Sequence, residues 1–340
     1  MSPTKQSDIY SRQKPLGTGL GATTTAAEVI REISLHGQTA IVTGGYSGLG
    51  LETVRILRSA GAKVMVPARD VTRAKAAMAG VDAQIEPMDL LDPASINTFA
   101  DQFLATGQPL HLLINSAGIM ALPLQRDSRG YELQFATNHL GHFQLTTRLL
   151  PALREANGAR IISVSSWGHH FSPVLFDDPH FQQRAYDPWV GYGQSKTANI
   201  LFALGLDQRF ASEGIRAFAV HPGGIVDTNL GKHIPRELLR SMGAIDEHGN
   251  AILDPSRNLK NVQQGAATQV WCATSPTLSG LGAVYCENCD LALLESGNET
   301  AVRNFERLTR HDGVLPYALD LESAERLWSL SETLVFGAKA

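Results

Sequence analysis

Seven short apolar runs, at residues 39–43, 63–67, 83–88, 111–115, 160–165, 215–221 and 282–285, alternate along this chain with helix-length segments. The segments at 48–60, 71–79, 93–105, 130–154, 192–212 and 262–273 carry apolar side chains at three- and four-residue spacing, the period of one helical face. Strands separated by a whole helix are ordinarily joined as parallel neighbours by right-handed crossovers. The alternation therefore predicts an α/β fold: a doubly wound parallel sheet of seven strands with helices on both faces.

At 340 residues, 43% of them hydrophobic, the chain buries a large core without cross-links. Residues 37–340 read as one domain and 1–36 as an N-terminal arm. Within the arm, Thr25-x-x-Glu28 before Val29, Ile30 and Ile33 is a capping-box pattern for a short helix. About the first ten residues are expected to be poorly ordered. A further helix is expected at 323–335, its Leu327, Trp328, Leu330 and Leu334 packed on the body.

The net charge of -4, with Lys and Arg scattered, offers no footprint for nucleic acid or an anionic membrane. Asn199 and Gly205 interrupt the longest apolar stretch, which is too short to span a bilayer, and the first twenty residues lack the apolar centre of a secretory signal. A cytoplasmic protein is the expectation. Cys272, Cys286 and Cys289 are too few for a disulfide framework and lack the further ligands of a zinc site, so neither redox chemistry nor a metal is assigned to them. His169 and His170 read as surface-loop side chains, and the Asn298-Glu299-Thr300 sequon as silent.

The first apolar run leads straight into Thr43-Gly44-Gly45-Tyr46-Ser47-Gly48-Leu49-Gly50, after which Leu51, Val54, Ile56 and Leu57 continue as a helix. Glycines let the backbone turn sharply beside a pyrophosphate, and the helix N-terminus offers it unpaired N–H groups, so strand, loop and helix together form a Rossmann-type dinucleotide site. Gly17-Thr18-Gly19-Leu20-Gly21 has similar spacing but no preceding strand. The second strand ends Ala68-Arg69-Asp70. An acid at that end selects the free ribose of NAD, whereas Arg69 suits the 2′-phosphate of NADP(H), unless Asp70 and Arg73 draw it into a surface ion pair.

Thr43-Gly44-x-x-x-Gly48-x-Gly50, Asn115-Ser116-Ala117-Gly118, Asn138, Ser166, Tyr192-x-x-x-Lys196 and Pro222-Gly223 occur in the order found in the short-chain dehydrogenase/reductase superfamily, which the chain resembles from about Gly37 to Tyr285. Asn138-His139-Leu140-Gly141-His142-Phe143 and Ser165-Ser166-Trp167-Gly168-His169-His170 resemble the retinol dehydrogenase, WW-domain oxidoreductase and protochlorophyllide reductase branch. The segments 19–29 and 285–290 are similar to members related to the chloroplast-envelope translocon-associated dehydrogenase. The resemblance implies a catalytic set of Asn138, Ser166, Tyr192 and Lys196. It also implies that Asp89 and Leu90 border the adenine and that Asn115, Ala117 and Gly118 support the cofactor loop. Pro222, Gly223, Ile225 and Thr228 would meet the nicotinamide side, and Ser116 departs from the second Asn of the family motif.

The chemistry is consistent with those types. A carbonyl receiving hydride develops oxyanion character, and a phenol donates a proton to it. Lys196, one helical turn after Tyr192, is expected to favour tyrosinate and to hold the nicotinamide ribose, with Ser166 donating to the substrate oxygen and Asn138 anchoring a water route for the proton. Tyr186 has Val190 four residues on and lacks the lysine. The long stretches 167–191 (Phe171, Phe176, Phe181, Tyr186, Trp189) and 229–261 (Ile234, Leu238, Leu239, Met242) should overhang the pocket. Their content suits a lipophilic or bulky carbonyl or alcohol substrate, or simply seals the loops. Reduction of an imine or activated C=C bond, and a non-catalytic NADP-sensing protein, stay open as alternatives, as does a homo-oligomer built on the two long helices.

Overall fold

The apolar run Thr39–Val42 (β1) is buried along its whole length, as a strand covered by helices on both faces must be. This computed structural model describes residues 3–297 and 313–337; the sequon lies outside them. The other strands are β2 (Lys63–Ala68), β3 (Gln84–Pro87), β4 (Leu112–Asn115), β5 (Arg160–Val164), β6 (Arg216–His221), β7 (Val284–Glu287) and β8 (Asp290–Leu291). They form one sheet of order β3-β2-β1-β4-β5-β6-β7-β8, parallel except for the last pair. The eighth strand, beyond the seven expected, is a short return. Asn288 and Cys289 both take positive φ (52° and 57°), the conformation of a tight type I′ hairpin. The Cys-x-x-Cys thus brackets a turn, with all three cysteines free and buried, and burial pushes the Cys289 thiol up to about 12.

The helices are α1 (Pro3–Arg12), α2 (Ala26–Ile30), α3 (Gly48–Ser59), α4 (Val71–Ala77), α5 (Pro93–Ala105), α6 (Leu133–Phe135), α7 (Gly141–Glu155), α8 (Pro188–Phe210), α9 (Arg236–Ser241), α10 (Val262–Gly265), α11 (Ala267–Thr274) and α12 (Leu321–Phe336). One face of the sheet packs on α5, α7 and α8, with α12 outside them; the other packs on α2, α3 and α11. Because α8 lies between the sheet and α12, every residue from Gly191 to Asp207 is buried. Trp328 of α12 meets Phe143, Phe202 and Phe210 at ring distances of 5.0, 6.2 and 6.0 Å. The Arg209 guanidinium covers its outer side, 4.2 Å from the ring centre.

Two helices start elsewhere than their periodicity suggests. The 192–212 helix begins at Pro188, because the Asp187 carboxylate caps it by accepting the Trp189 N–H at 2.8 Å. Tyr192 therefore lies a full turn inside. The 130–154 helix begins at Leu133, after Glu132 accepts the N–H groups of Gln134 (3.0 Å) and Phe135 (2.7 Å). Residues Ala136–Leu140 then widen into a π turn, closed by the Gly141 N–H on the Ala136 carbonyl.

The arm differs most from expectation. Its first residues form α1 and are tied to the other end of the chain: the Gln6 amide donates to Leu319 O (3.0 Å) and accepts from Leu321 N (2.8 Å). Gln13, buried, accepts from Tyr285 N (2.9 Å) and donates to Tyr285 O (2.8 Å) and Ala292 O (2.6 Å). Three N–H groups of the glycine-rich 16–18 stretch close on the Asp290 carboxylate. The Thr25–Glu28 capping box of α2 is formed. No helix among the described residues is long and apolar enough to cross a membrane.

Candidate active site

The strand order reverses between β1 and β4, and a crevice opens there at the carboxyl ends of the strands. Residues 43–50 line it. Gly44 and Gly48 adopt φ of 68° and 49°, and a Cβ on Gly50 would lie 2.4 Å from Gly44 O, so only glycine permits α3 to start so close to the loop. Ser47, the N-cap, makes no side-chain bond to the first turn, which leaves the N–H groups at that end for an anion. Thr43 Oγ1 accepts from Ser116 N (2.9 Å) and Ala117 N (3.0 Å), fastening the loop to residues 115–118. Asn115 in turn donates to Thr146 Oγ1 at 3.1 Å.

The surrounding candidates gather at the same crevice. Arg69 is exposed past the end of β2, and its guanidinium makes no hydrogen bond or ion pair among the described residues. The expected competitor does not form: Asp70 caps α4, accepting Arg73 N at 2.9 Å. Asp89 folds its carboxylate onto Leu91 N (3.0 Å) beside the buried Leu90. On the opposite side Thr228 lies 3.2 Å from a Cβ built on Gly48, and Ile225 packs with Leu49 around Gly265. The Pro222-Gly223 turn is pinned by Gly224 N on Asn258 O (2.7 Å) and Lys260 N on Gly224 O (2.9 Å). A glycine-lined turn with free N–H groups and an unpaired arginine fits a dinucleotide phosphate. Tyr46 packs on the core below, and a Cβ on Gly44 would lie 3.0 Å from Ala117 Cα.

Ser166, Tyr192 and Lys196 come together at the ends of β5 and α8. Ser166 starts a short 3-10 turn, Trp167–Phe171, and accepts the Gly168 N–H at 3.0 Å. A Cβ on Gly168 would lie 2.6 Å from the Tyr192 ring, so the turn is pressed against it. Burial pushes the Tyr192 hydroxyl up to about 12, against a hydrogen bond with Ser166 that draws it back. Lys196 Nζ donates to Val164 O (3.0 Å), stands 5.6 Å from the Tyr192 ring centre and is lowered to about 8 by burial. In the free protein, then, burial outweighs the attraction expected between ammonium and tyrosinate, and both groups are pressed toward neutrality. The Asn138 amide clasps the Ile119 backbone, accepting N–H at 2.9 Å and donating to O at 3.0 Å, and also donates to Ser195 Oγ (2.9 Å). Its side chain is a brace.

Four histidines that the sequence did not single out as functional hold this frame together. His142 Nδ1 faces Asn138 O and Nε2 faces Thr43 Oγ1, both at 2.9 Å, joining the π turn to the glycine loop. His221 Nδ1 accepts from Trp167 N (3.1 Å) and Gly223 N (3.4 Å). His169 and His170, expected on the surface, are buried at 0% and 4% exposure, because their partners come from the far C-terminal segment. Burial lowers His142 to about 4 and His221 to about 3, so both stay neutral. The visible signal was spacing: each of His142, His169 and His170 follows its backbone acceptor by three or four residues on a helical turn.

The overhanging loop is mostly self-sealing. Phe171 and Phe181 are buried, and Phe176 lies under Arg326 of α12. Tyr186 donates to Glu132 (2.9 Å) and accepts from Gln134 (2.8 Å), and burial raises its pKa well beyond the ordinary. Trp189 stands beside Tyr192, the two rings 6.3 Å apart. In the second loop Ile234, Leu238, Leu239 and Met242 are half-buried.

Residues 38–238 match the family model for short chain dehydrogenase. A Streptomyces lividans protein named "Probable oxidoreductase" is 44% identical, the match covering 90% of this chain and all of that one. Bovine (Bos taurus) retinol dehydrogenase 12 is 34% identical over 88% of this chain and 87% of its own. A solved structure of an uncharacterized protein from Mycobacterium Paratuberculosis superposes with a TM-score of 0.67 at 31% identity, over 92% of this chain and 97% of the other.

Proposed function

The chain belongs to the short-chain dehydrogenase/reductase family, in the branch that holds retinol dehydrogenase 12, and from that premise we propose that it is an NADP(H)-dependent oxidoreductase acting on a lipophilic or bulky carbonyl or alcohol. The observation that carries the proposal is the meeting of Ser166, Tyr192 and Lys196 beside the glycine loop and the free end of α3. The nicotinamide, when bound, supplies or takes the hydride. Tyr192 gives its proton to the oxygen left by that hydride, and Ser166 donates a hydrogen bond to the same oxygen. Lys196 places a cation beneath the pair and toward the ribose. A protein that only sensed NADP would not need the phenol and the ammonium together.

Arg69 supports the choice of NADP(H), since an unpaired guanidinium is the side chain best suited to a 2′-phosphate. Trp189 and the half-buried apolar residues of 229–261 support a substrate with a large apolar flank. Fluorescence titration of both cofactors is expected to show NADPH binding at least about tenfold tighter than NADH. Equal affinity would mean that Arg69 stays in solvent. Turnover should follow for long-chain or aromatic aldehydes and ketones, and exclusive reduction of imines or activated C=C bonds would replace the carbonyl reading.

A further inference from the structure

His142 and Thr146 lie one turn apart on α7 and share a face. Thr146 Oγ1 accepts from the Asn115 side chain at 3.1 Å, and His142 Nε2 stands 2.9 Å from Thr43 Oγ1. Both contacts fall at the ends of β1 and β4, where the strand order reverses. His142 reaches the other way as well, its Nδ1 2.9 Å from Asn138 O in the π turn. The ring is enclosed, and burial keeps it neutral.

A neutral imidazole has one hydrogen to give, and a carbonyl can only accept. That hydrogen therefore lies on Nδ1, toward Asn138 O, and Nε2 is a bare acceptor. The Thr43 hydroxyl has one hydrogen and two lone pairs. It already receives the N–H groups of Ser116 (2.9 Å) and Ala117 (3.0 Å), which fill the lone pairs. Its hydrogen has two acceptors within reach, Ile114 O at 3.4 Å and His142 Nε2 at 2.9 Å, and the shorter bond is the one to the ring. The opposite tautomer fails on count. Its Nε2–H would be a third donor onto Thr43, and Nδ1 would face Asn138 O with no hydrogen between them.

We propose that His142 is a positioning residue for the cofactor, its bare Nε2 turning the Thr43 hydroxyl so that both lone pairs fasten residues 116 and 117 to the glycine loop. The proposal rests on the reading of residues 43–50 as the dinucleotide site. Without the ring, the hydroxyl turns toward Ile114 O, and its lone pairs leave the Ser116 and Ala117 N–H groups. Gly44 has no room to spare beside Ala117, so a shift in one segment displaces the other. The path from Asn138 O through His142 and Thr43 to Ser116 N also ties the turn that carries Asn138 to the loop.

The test has two arms, both on the full chain at about pH 7 and without substrate. With 15N-labelled histidine, the His142 ring should be protonated on Nδ1 and bare on Nε2, its signals identified by their loss in His142→Phe or His142→Gln. The second arm is fluorescence titration with NADPH, or with NADH if that binds tighter. His142→Phe keeps the bulk of the ring and loses both nitrogens. It should weaken nucleotide binding at least about fivefold in the wild type, and again in Thr43→Ser, which retains the hydroxyl. In Thr43→Val, where there is no hydroxyl to turn, the same change should cost less than about twofold. A ring that only filled space would cost as much in all three backgrounds. A hydrogen on Nε2 would overturn the proposal, as would an undiminished loss in Thr43→Val. Neither arm needs turnover, so a failure to reduce carbonyls would count against the proposed activity alone.

Discussion

A phenol and an ammonium, both pressed toward neutrality by burial, sit on adjacent turns of α8. Raised to about 12 by burial, Tyr192 holds the proton that the proposed reduction would take from it. Tyr192→Phe should leave NADPH binding intact and lower kcat by about 10²–10⁴, measured by steady-state reduction of any accepted substrate. Lys196 makes an opposite demand on stability. Its lowered pKa means that the unfolded chain binds the proton more strongly between about 8 and 10.5, so stability rises with pH across that window. Lys196→Met removes that burden, and Val164 O keeps a donor in Asn199 Nδ2 at 2.9 Å. The variant should therefore melt roughly a few degrees higher than wild type at neutral pH while losing activity and NADPH affinity; a lower Tm would show the ammonium to be structural. The residues proposed to react could be picked out in the sequence because that chemistry requires given types at given spacing. His169 and His170 were not, since Leu315 and Glu295, which bury them, lie more than a hundred residues away.

At the scale of elements, the alternation of runs gave the strand order its seven parallel members, but not the places where helices begin. Asp187 ahead of Pro188 is a cap with proline at the first helical position, and crediting it would have started α8 a turn earlier. The π turn at 136–140 has no compositional mark, and β8 is two residues long, below what periodicity can register. The stretch from Asn229 to Asn261 contains α9 and a small hairpin bridged between Ile245 and Ala251, and it is anchored at its end, where Asn258 and Lys260 hold Gly224. Excising residues 236–251 with a short Gly-Ser bridge spares that anchor. It should raise KM for an apolar substrate by about tenfold or more while NADPH affinity changes little. Loss of cofactor binding in a titration would instead make the stretch part of the frame.

Over the whole molecule, the C-terminal helix was legible as an amphipathic segment, and its packing of Trp328 against Phe143, Phe202 and Phe210 helps explain why α8 has no exposed face from Gly191 to Asp207. Trp328→Ala should cost about 3–5 kcal/mol, read as a lower midpoint in urea with the slope preserved. A loss under about 1 kcal/mol would mean that α12 rests on the body without supporting it. The arm was illegible for a different reason. Nothing near Gln6 or Gln13 in sequence shows that their amides will satisfy backbone groups around residues 285–321. Gln13 in particular stands in for a strand, meeting the N–H and C=O of Tyr285 with one side chain. For a chain made on a ribosome this sets an order of events: residues 6–13 must wait for these partners until residues 285–321 have been delivered. The sheet can be laid down strand by strand in the meantime, but its closing act is the docking of the 6–13 segment, a contact of long sequence separation that forms late and slowly.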